Sequence, residues 1–318
     1  MMTPIASGET ADGAYPEWRI SSQGYTAVIT AVGASLRELQ FRGRDLVVPF
    51  DFGAVRPLYR GAVIAPWPNR IADGRYDFDG AQYQLAINEV DRGHALHGLV
   101  HWVRWEPLDV TPNRITLGHI LVPQDGYPFA LKLAMEYRVG STGLACRLTA
   151  TNIGTGPAPY GCCPHPYLIA GAGLVDNWIL DLPAERRLEV DDRLLPTGLR
   201  PVTDVDCDFR TPARIGDREI DHAFTDLISN DGRVEVRLTD LGSGTGVALS
   251  WDQSWAPWVQ IHTADRPEPQ HNRVGLAVEP MNCRPDAFNS GVDTPVLAAD
   301  RTHVAAWLIS AIADRAGR

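Results

Sequence analysis

Apolar and polar residues alternate one for one along much of the chain. In FALKLAMEYRV, Phe129, Leu131, Leu133, Met135, Tyr137 and Val139 share one parity, with Lys132, Glu136 and Arg138 on the other. Residues two apart line one face of a strand, so this stretch predicts a strand with one side on a core and the other toward water. RYDFDGAQYQLAI alternates through Tyr76 and Phe78, breaks at Asp79-Gly80, and resumes with Tyr83, Leu85 and Ile87. An Asp-Gly pair supplies the two positive φ angles of a type I′ turn, which predicts a hairpin there. Residues 144–150, 233–238 and 246–251 follow the same period. Helical periodicity is scarce. The tail HVAAWLISAI, 303–312, fits either state and is expected as a final strand. The 29 glycines and 24 prolines fall between the alternating stretches as turn punctuation. The expected fold is all-β, a large antiparallel β-sandwich. It should form one domain over residues 17–318, after a loose segment at residues 1–16.

Composition narrows the partners. Hydrophobic residues at 44% supply a large core, and charged residues at 21% are too few for a disordered chain. A net charge of −10 disfavours nucleic acid and anionic membrane surfaces, which attract basic patches. The five cysteines include the adjacent pair Cys162-Cys163 and no C-x-x-C spacing, unlike a disulfide framework or a zinc site. No apolar run approaches the length of a membrane span, and the first residues lack the basic and apolar regions of a signal peptide. These features lead us to expect a cytoplasmic protein, a monomer or homodimer, acting on a small molecule.

No dinucleotide fingerprint, P-loop, H-E-x-x-H or G-x-S-x-G is present. Candidate chemistry lies in polar residues near strand ends. His165 stands between Pro164 and Pro166, whose rings restrict the backbone on both sides and could aim an imidazole. Glu279 closes the apolar run 274–278, and Pro280 is expected to end the strand pairing there. A carboxylate in such a place must be paired, hydrogen-bonded or shifted in pKa. In APWPNRIADG, Trp67 offers an aromatic wall, and Asn69 and Arg70 offer donors, a combination suited to a sugar. Asp221 precedes His222 and Phe224. His94, His97 and His101 invite a metal, but on a strand His97 and His101 would share a face and His94 would oppose them. No carboxylate sits at ligand spacing, so no metal is expected. Plainer readings stay open for each: a packed histidine, a structural ion pair, an exposed loop arginine, a turn-capping aspartate.

Five segments, in order, carry a resemblance: PNRIADGRYDFDGAQYQLAIN, ALHGLVHWVRWE, PHPYLIAG, LLPTGLRPVTDVDCDFRTPARIGDREIDHAF (its PTG taken as a turn) and AVEPMNCRPDAFNSG. Together they span about residues 60–290 and resemble the aldose 1-epimerase (galactose mutarotase) family. The wording around Trp67 and His165 looks closer to a bacterial branch that includes a sulfoquinovose mutarotase. The resemblance implies a large β-sandwich, an enzyme that interconverts the anomers of a free sugar, and no cofactor or metal. It further implies Glu279 as general base, His165 as general acid, and Arg70, His97 and Asp221 as ligands of sugar hydroxyls. Glu279 is then expected ionised and His165 protonated when sugar binds. Arg70, Arg92 and Arg104 are the only arginines expected near the site, too few for a phosphate clamp. Two alternatives are a sugar-binding protein without activity and a glycosidase or lyase. A standard glycosidase would use two carboxylates, for which only Glu279 and Asp221 are at hand.

Overall fold

The computed structural model describes residues 16–291 and 294–312, and three antiparallel sheets carry most of its strands. The largest has nine. At its centre lie, in spatial order, Leu131–Gly140, Gly143–Asn152, Thr302–Ile312, Gly246–Asp252 and Arg233–Asp240. The alternation predicts the burial: Leu131, Leu133, Met135, Tyr137 and Val139 are inside, while Lys132 and Arg138 are exposed. The tail is a strand because it closes the sheet between Gly143–Asn152 and Gly246–Asp252.

A second sheet runs in the order Tyr167–Leu168, Leu276–Met281, Trp258–His262, Asp221–Leu227, Ala184–Val190, Pro196–Pro201. Leu168, Leu276, Val278, Val259, Ile261 and Phe224 join the inward residues of the nine-stranded sheet in one buried cluster. This is the core of a β-sandwich. The third sheet, Glu17–Ser22, Tyr25–Thr30, Leu36–Phe41 and Arg44–Asp45, packs against the large one, where Tyr137 Oη donates to the Ala34 carbonyl at 2.8 Å.

Arg75–Phe78 and Ala81–Gln84 form the hairpin, with Asp79 and Gly80 both at positive φ, 50° and 77°. Ala287–Ser290 is the single α-helix among the described residues. No helix among them is long and apolar enough to cross a membrane. The segment expected to be loose, residues 1–16, lies outside the described residues except Pro16, whose carbonyl accepts a bond from Ala31 N at 2.9 Å.

Two local expectations are corrected. The PTG triplet is not a turn. It opens the edge strand Pro196–Pro201, and the chain reverses earlier, at Leu194 (φ 60°). Pro280 does not end the pairing either, since Pro280 lies opposite Val259 and Met281 opposite Trp258. Val278 N and Asn282 N both donate to the segment 162–166. Alternate N–H groups of a strand point the same way, so the donor that Pro280 lacks would have faced that segment, and the ladder to Trp258–His262 is untouched.

Candidate active site

The site stands on the outer face of the six-stranded sheet. Residues opposite one another in an antiparallel pair share a face, as do residues two apart on one strand. The register sets Glu279 opposite Gln260, Asp221 opposite His262, and Tyr167 opposite Ala277. Tyr167, Glu279, Gln260, His262 and Asp221 therefore share the face away from the core and floor a cleft of about 710 Å³. Val278, Val259 and Ile261, of opposite parity, hold the same strands down.

His165 reaches this floor from the short strand Cys163–His165, which pairs with Ala62–Ile64. Gly61 N donates to its carbonyl at 2.9 Å, and Val278 N donates to the Pro166 carbonyl at 3.3 Å. The segment is thus clamped between two strands, and its prolines carry no N–H needing a partner. The imidazole stacks on Tyr167 (centroids 5.3 Å apart) and meets the edge of His97 at 5.1 Å. Its Nε2 lies 3.4 Å from Glu279 Oε1.

Asn69, Arg70 and His97 form the adjoining wall. The pairing of Arg70–Ile71 with Ala95–Leu96 brings them together. Asn69 and His97 both take left-handed backbone (φ 54° and 62°) and interlock: His97 N donates to Asn69 O at 2.9 Å, and Asn69 N to His97 Nδ1 at 3.3 Å. Nε2 of that ring then carries its proton. Arg70 makes a fork to Glu89, Nε to Oε2 at 2.8 Å and Nη2 to Oε1 at 2.9 Å, and Arg92 reaches the same carboxylate at 3.1 Å. Asp221 Oδ1 accepts from Gln260 Nε2 at 2.7 Å.

Six of the seven nominated residues thus line one cleft: Glu279, His165, Arg70, His97, Asp221 and Asn69. Trp67 does not. It is buried beneath the wall against Tyr127 and Phe288, because the chain turns its indole into the apolar side of the segment. Tyr59 and Tyr167 supply the aromatic lining instead. His94 binds the Arg193 carbonyl through Nε2 at 3.1 Å, outside the cleft. His101 is buried behind Tyr59, and Arg104 pairs with Glu106 on the surface, so neither lines the cleft. Residues 97–101 are a bend rather than a strand, so the face relation expected for His97 and His101 does not arise from strand geometry. Among the described residues no three His, Cys, Asp or Glu side chains group as a metal site.

The sequence reading missed Gln260, His262, Glu89, Tyr59 and Arg266, the last of which lines the cleft although only Arg70, Arg92 and Arg104 were expected near it. Gln260 and His262 were open to it, as the polar parity of WVQIH between Val259 and Ile261. Glu89 is set in the wall by its ion pair with Arg70, a partner 19 positions away. Tyr59 had no signal, because it enters the cleft through two successive left-handed residues, Leu58 and Tyr59.

Burial governs the electrostatics. Desolvation, helped by the charge of Asp221, holds the Glu279 carboxyl well above the usual carboxylate range, and Arg70 only partly offsets it. Desolvation likewise pushes His165 down to about 3, with His262 adding to it. Both neutral forms are favoured, so the pair carries its one proton on the carboxyl. This differs from the ionised carboxylate and imidazolium expected with sugar bound. The two arrangements hold the same number of protons and interconvert by one transfer between Oε1 and Nε2. Burial also drives His97 well below its ordinary value. At Asp221 burial acts upward, but His262, Arg70 and the Gln260 bond together outweigh it, and the group stays below the usual range.

Known proteins resemble this chain along nearly its whole length. The family model described as aldose 1-epimerase matches residues 16–310. An Escherichia coli K12 protein named as uncharacterized protein YihR is 39% identical over 89% of each chain. Rat galactose mutarotase is 28% identical over 90% of each. A GalM/aldose epimerase homologue from Caenorhabditis elegans superimposes with a TM-score of 0.82, covering 94% of this chain and all of the other at 23% identity. Matched nearly from end to end in sequence and in fold, the chain belongs to the aldose 1-epimerase family, isomerases of the mutarotase type.

Proposed function

We propose that this mutarotase interconverts the α and β anomers of a free hexose or related sugar, with Glu279 and His165 as its acid–base pair. The carrying observation is the 3.4 Å approach of His165 Nε2 to Glu279 Oε1 at the buried floor of the cleft. Ring opening moves the anomeric O1 proton to Glu279 and a proton from His165 to the ring oxygen O5. The C1–O5 bond breaks as C1=O1 forms, the C1–C2 bond rotates, and the reverse transfers close the ring on the other face. The pair ends with as many protons as it began, and no oxidant, metal or cofactor enters. Each transfer contributes about 10²- to 10⁴-fold. Arg70, Asn69, His97 and Asp221 would hold the other hydroxyls, orienting C1 and O5 between the two groups.

The guanidiniums of Arg70 and Arg92 are engaged by Glu89, and Arg266 lines the cleft as a further cation, so the charge of the lining is compatible with a neutral and with an acidic sugar. A non-catalytic sugar binder would have no use for the buried pair. The five cysteines are buried and free of disulfides, which supports a reducing, cytoplasmic setting. The test is polarimetry or NMR of freshly dissolved α-D-glucose, α-D-galactose and sulfoquinovose, with Glu279→Gln and His165→Gln as controls. Acceleration of at least one of these sugars, lost in both variants, is the expected result. The sugar that is accelerated most identifies the substrate, and acceleration of none of them would overturn the proposed activity on these hexoses. Acceleration that survives in either variant would overturn the acid–base assignment.

A further inference from the structure

The carboxyl of Glu279 has two unlike ends. Oε1 faces His165 Nε2, and Oε2 lies 3.8 Å from Cys163 Sγ. Among the described residues no backbone N–H and no guanidinium is bonded to either oxygen. Cys163 and His165 are two apart on one strand, so their side chains leave it on the same side, and both end on this carboxyl. The thiol is buried among Ala62, Ile64, Trp258 and Met281. The acid–base account above makes no use of it.

We propose that Cys163 is a positioning residue for Glu279, its S–H holding Oε2 back so that Oε1 faces His165 while the carboxylate keeps its basicity. The inference rests on the reading of Glu279 as proton acceptor. A hydroxyl, amide or guanidinium at this place would bind the carboxylate strongly and favour its charged form, weakening it as a base. A thiol is a much weaker donor. It fixes direction at a smaller cost in basicity than those donors would. Burial, then the neighbouring Glu279, pushes the Cys163 thiol up, so it stays protonated and able to donate. The other charged and titratable groups around Glu279 come from separate elements. Asp221 opposes ionisation and Arg70 favours it, while Tyr167 and His262 share the floor.

The test compares Cys163→Ala and Cys163→Val by the pH profile of kcat/KM for anomer interconversion, with Glu279→Gln beside them. Loss of the pair's last proton, from the carboxyl, sets the alkaline limb. Deleting a donor to the charged form raises that limb, by about half a pH unit or more. It also makes the carboxylate–imidazolium arrangement rarer, so kcat at neutral pH should fall about 3- to 10-fold. Valine refills the volume but donates nothing, so both variants should show both changes. A wild-type limb in both variants, or restoration by valine, would overturn the proposal and leave Cys163 as packing. Glu279→Gln separates the levels. If it stays active, the acid–base reading itself fails. If it is inactive while both Cys163 variants keep the wild-type profile, only the role of the thiol fails.

Discussion

Replacing Glu279 by glutamine should abolish activity and stabilise the fold together, and the stabilisation should depend on pH in a way the structure specifies. The side chain is almost wholly buried, and burial holds its carboxyl well above the usual range. In the unfolded chain it titrates near about 4.3. Between that value and its folded pKa the native state binds more protons than the unfolded state. The contribution is therefore fully present below about 4.3 and is lost as pH rises, by about 1.4 kcal/mol per pH unit until the folded pKa is passed. Glutamine keeps the shape and cannot ionise. Its stability relative to wild type should climb at that slope above pH ~5. The same change removes the proton acceptor, at about 10²- to 10⁴-fold in rate, or about 3–5 kcal/mol of barrier. Urea unfolding of both proteins at pH 5, 6 and 7, with polarimetry on the same samples, measures both sides. Parallel stability curves would refute the claim that burial raises this carboxyl. A variant with wild-type turnover would refute its catalytic role.

Further outcomes follow from the same geometry. The histidines run opposite in sign to Glu279. Burial lowers His101 to about 4 and His165 to about 3, so unfolded copies bind protons below about 6.5 that the native ones refuse. The thermal midpoint should drop as pH falls from 6.5 toward 4, and it should do so in Glu279→Gln as well; a flat midpoint there would contradict the buried neutral rings. Gly61→Ala would put a methyl 1.9 Å from the Leu36 carbonyl at φ +66°, where a side chain is strained anyway. Since Gly61 N holds His165, stability should fall by about 1–3 kcal/mol and activity should fall with it, as chemical unfolding and polarimetry would reveal. Arg70→Lys cannot keep the fork to Glu89, so KM should rise about tenfold or more with a smaller change in kcat; an unchanged KM would remove Arg70 from sugar binding.

The sheets were legible because one rule, alternation, governs both pattern and burial, and Leu131 to Val139 obey it residue by residue. Glu279 was legible for the same reason, as a carboxylate inside an apolar strand. Trp67 was misread because its neighbours Asn69 and Arg70 do face the cleft. A segment running between layers turns successive side chains to different sides, and sequence alone does not say which. Pro280 was misread because a missing N–H interrupts a ladder only on the side it would have faced, and that side depends on which strand lies there. Tyr59 and Glu89 needed backbone geometry and an ion pair that no local pattern encodes. The protonation of the pair could not be read either, since it depends on depth of burial.

The clamp on the segment around His165 has a consequence for how the enzyme comes into being. His165 and Glu279 are 114 positions apart, and the bonds that align them join Gly61 to His165 and Val278 to Pro166. All of these are distant in sequence, and distant contacts close late because the loops between them must be ordered first. No fragment or half-formed sheet would hold the two groups at working distance. On refolding, turnover should return in step with the slowest structural phase rather than with early collapse, which makes anomer interconversion a sensitive reporter of the completed fold.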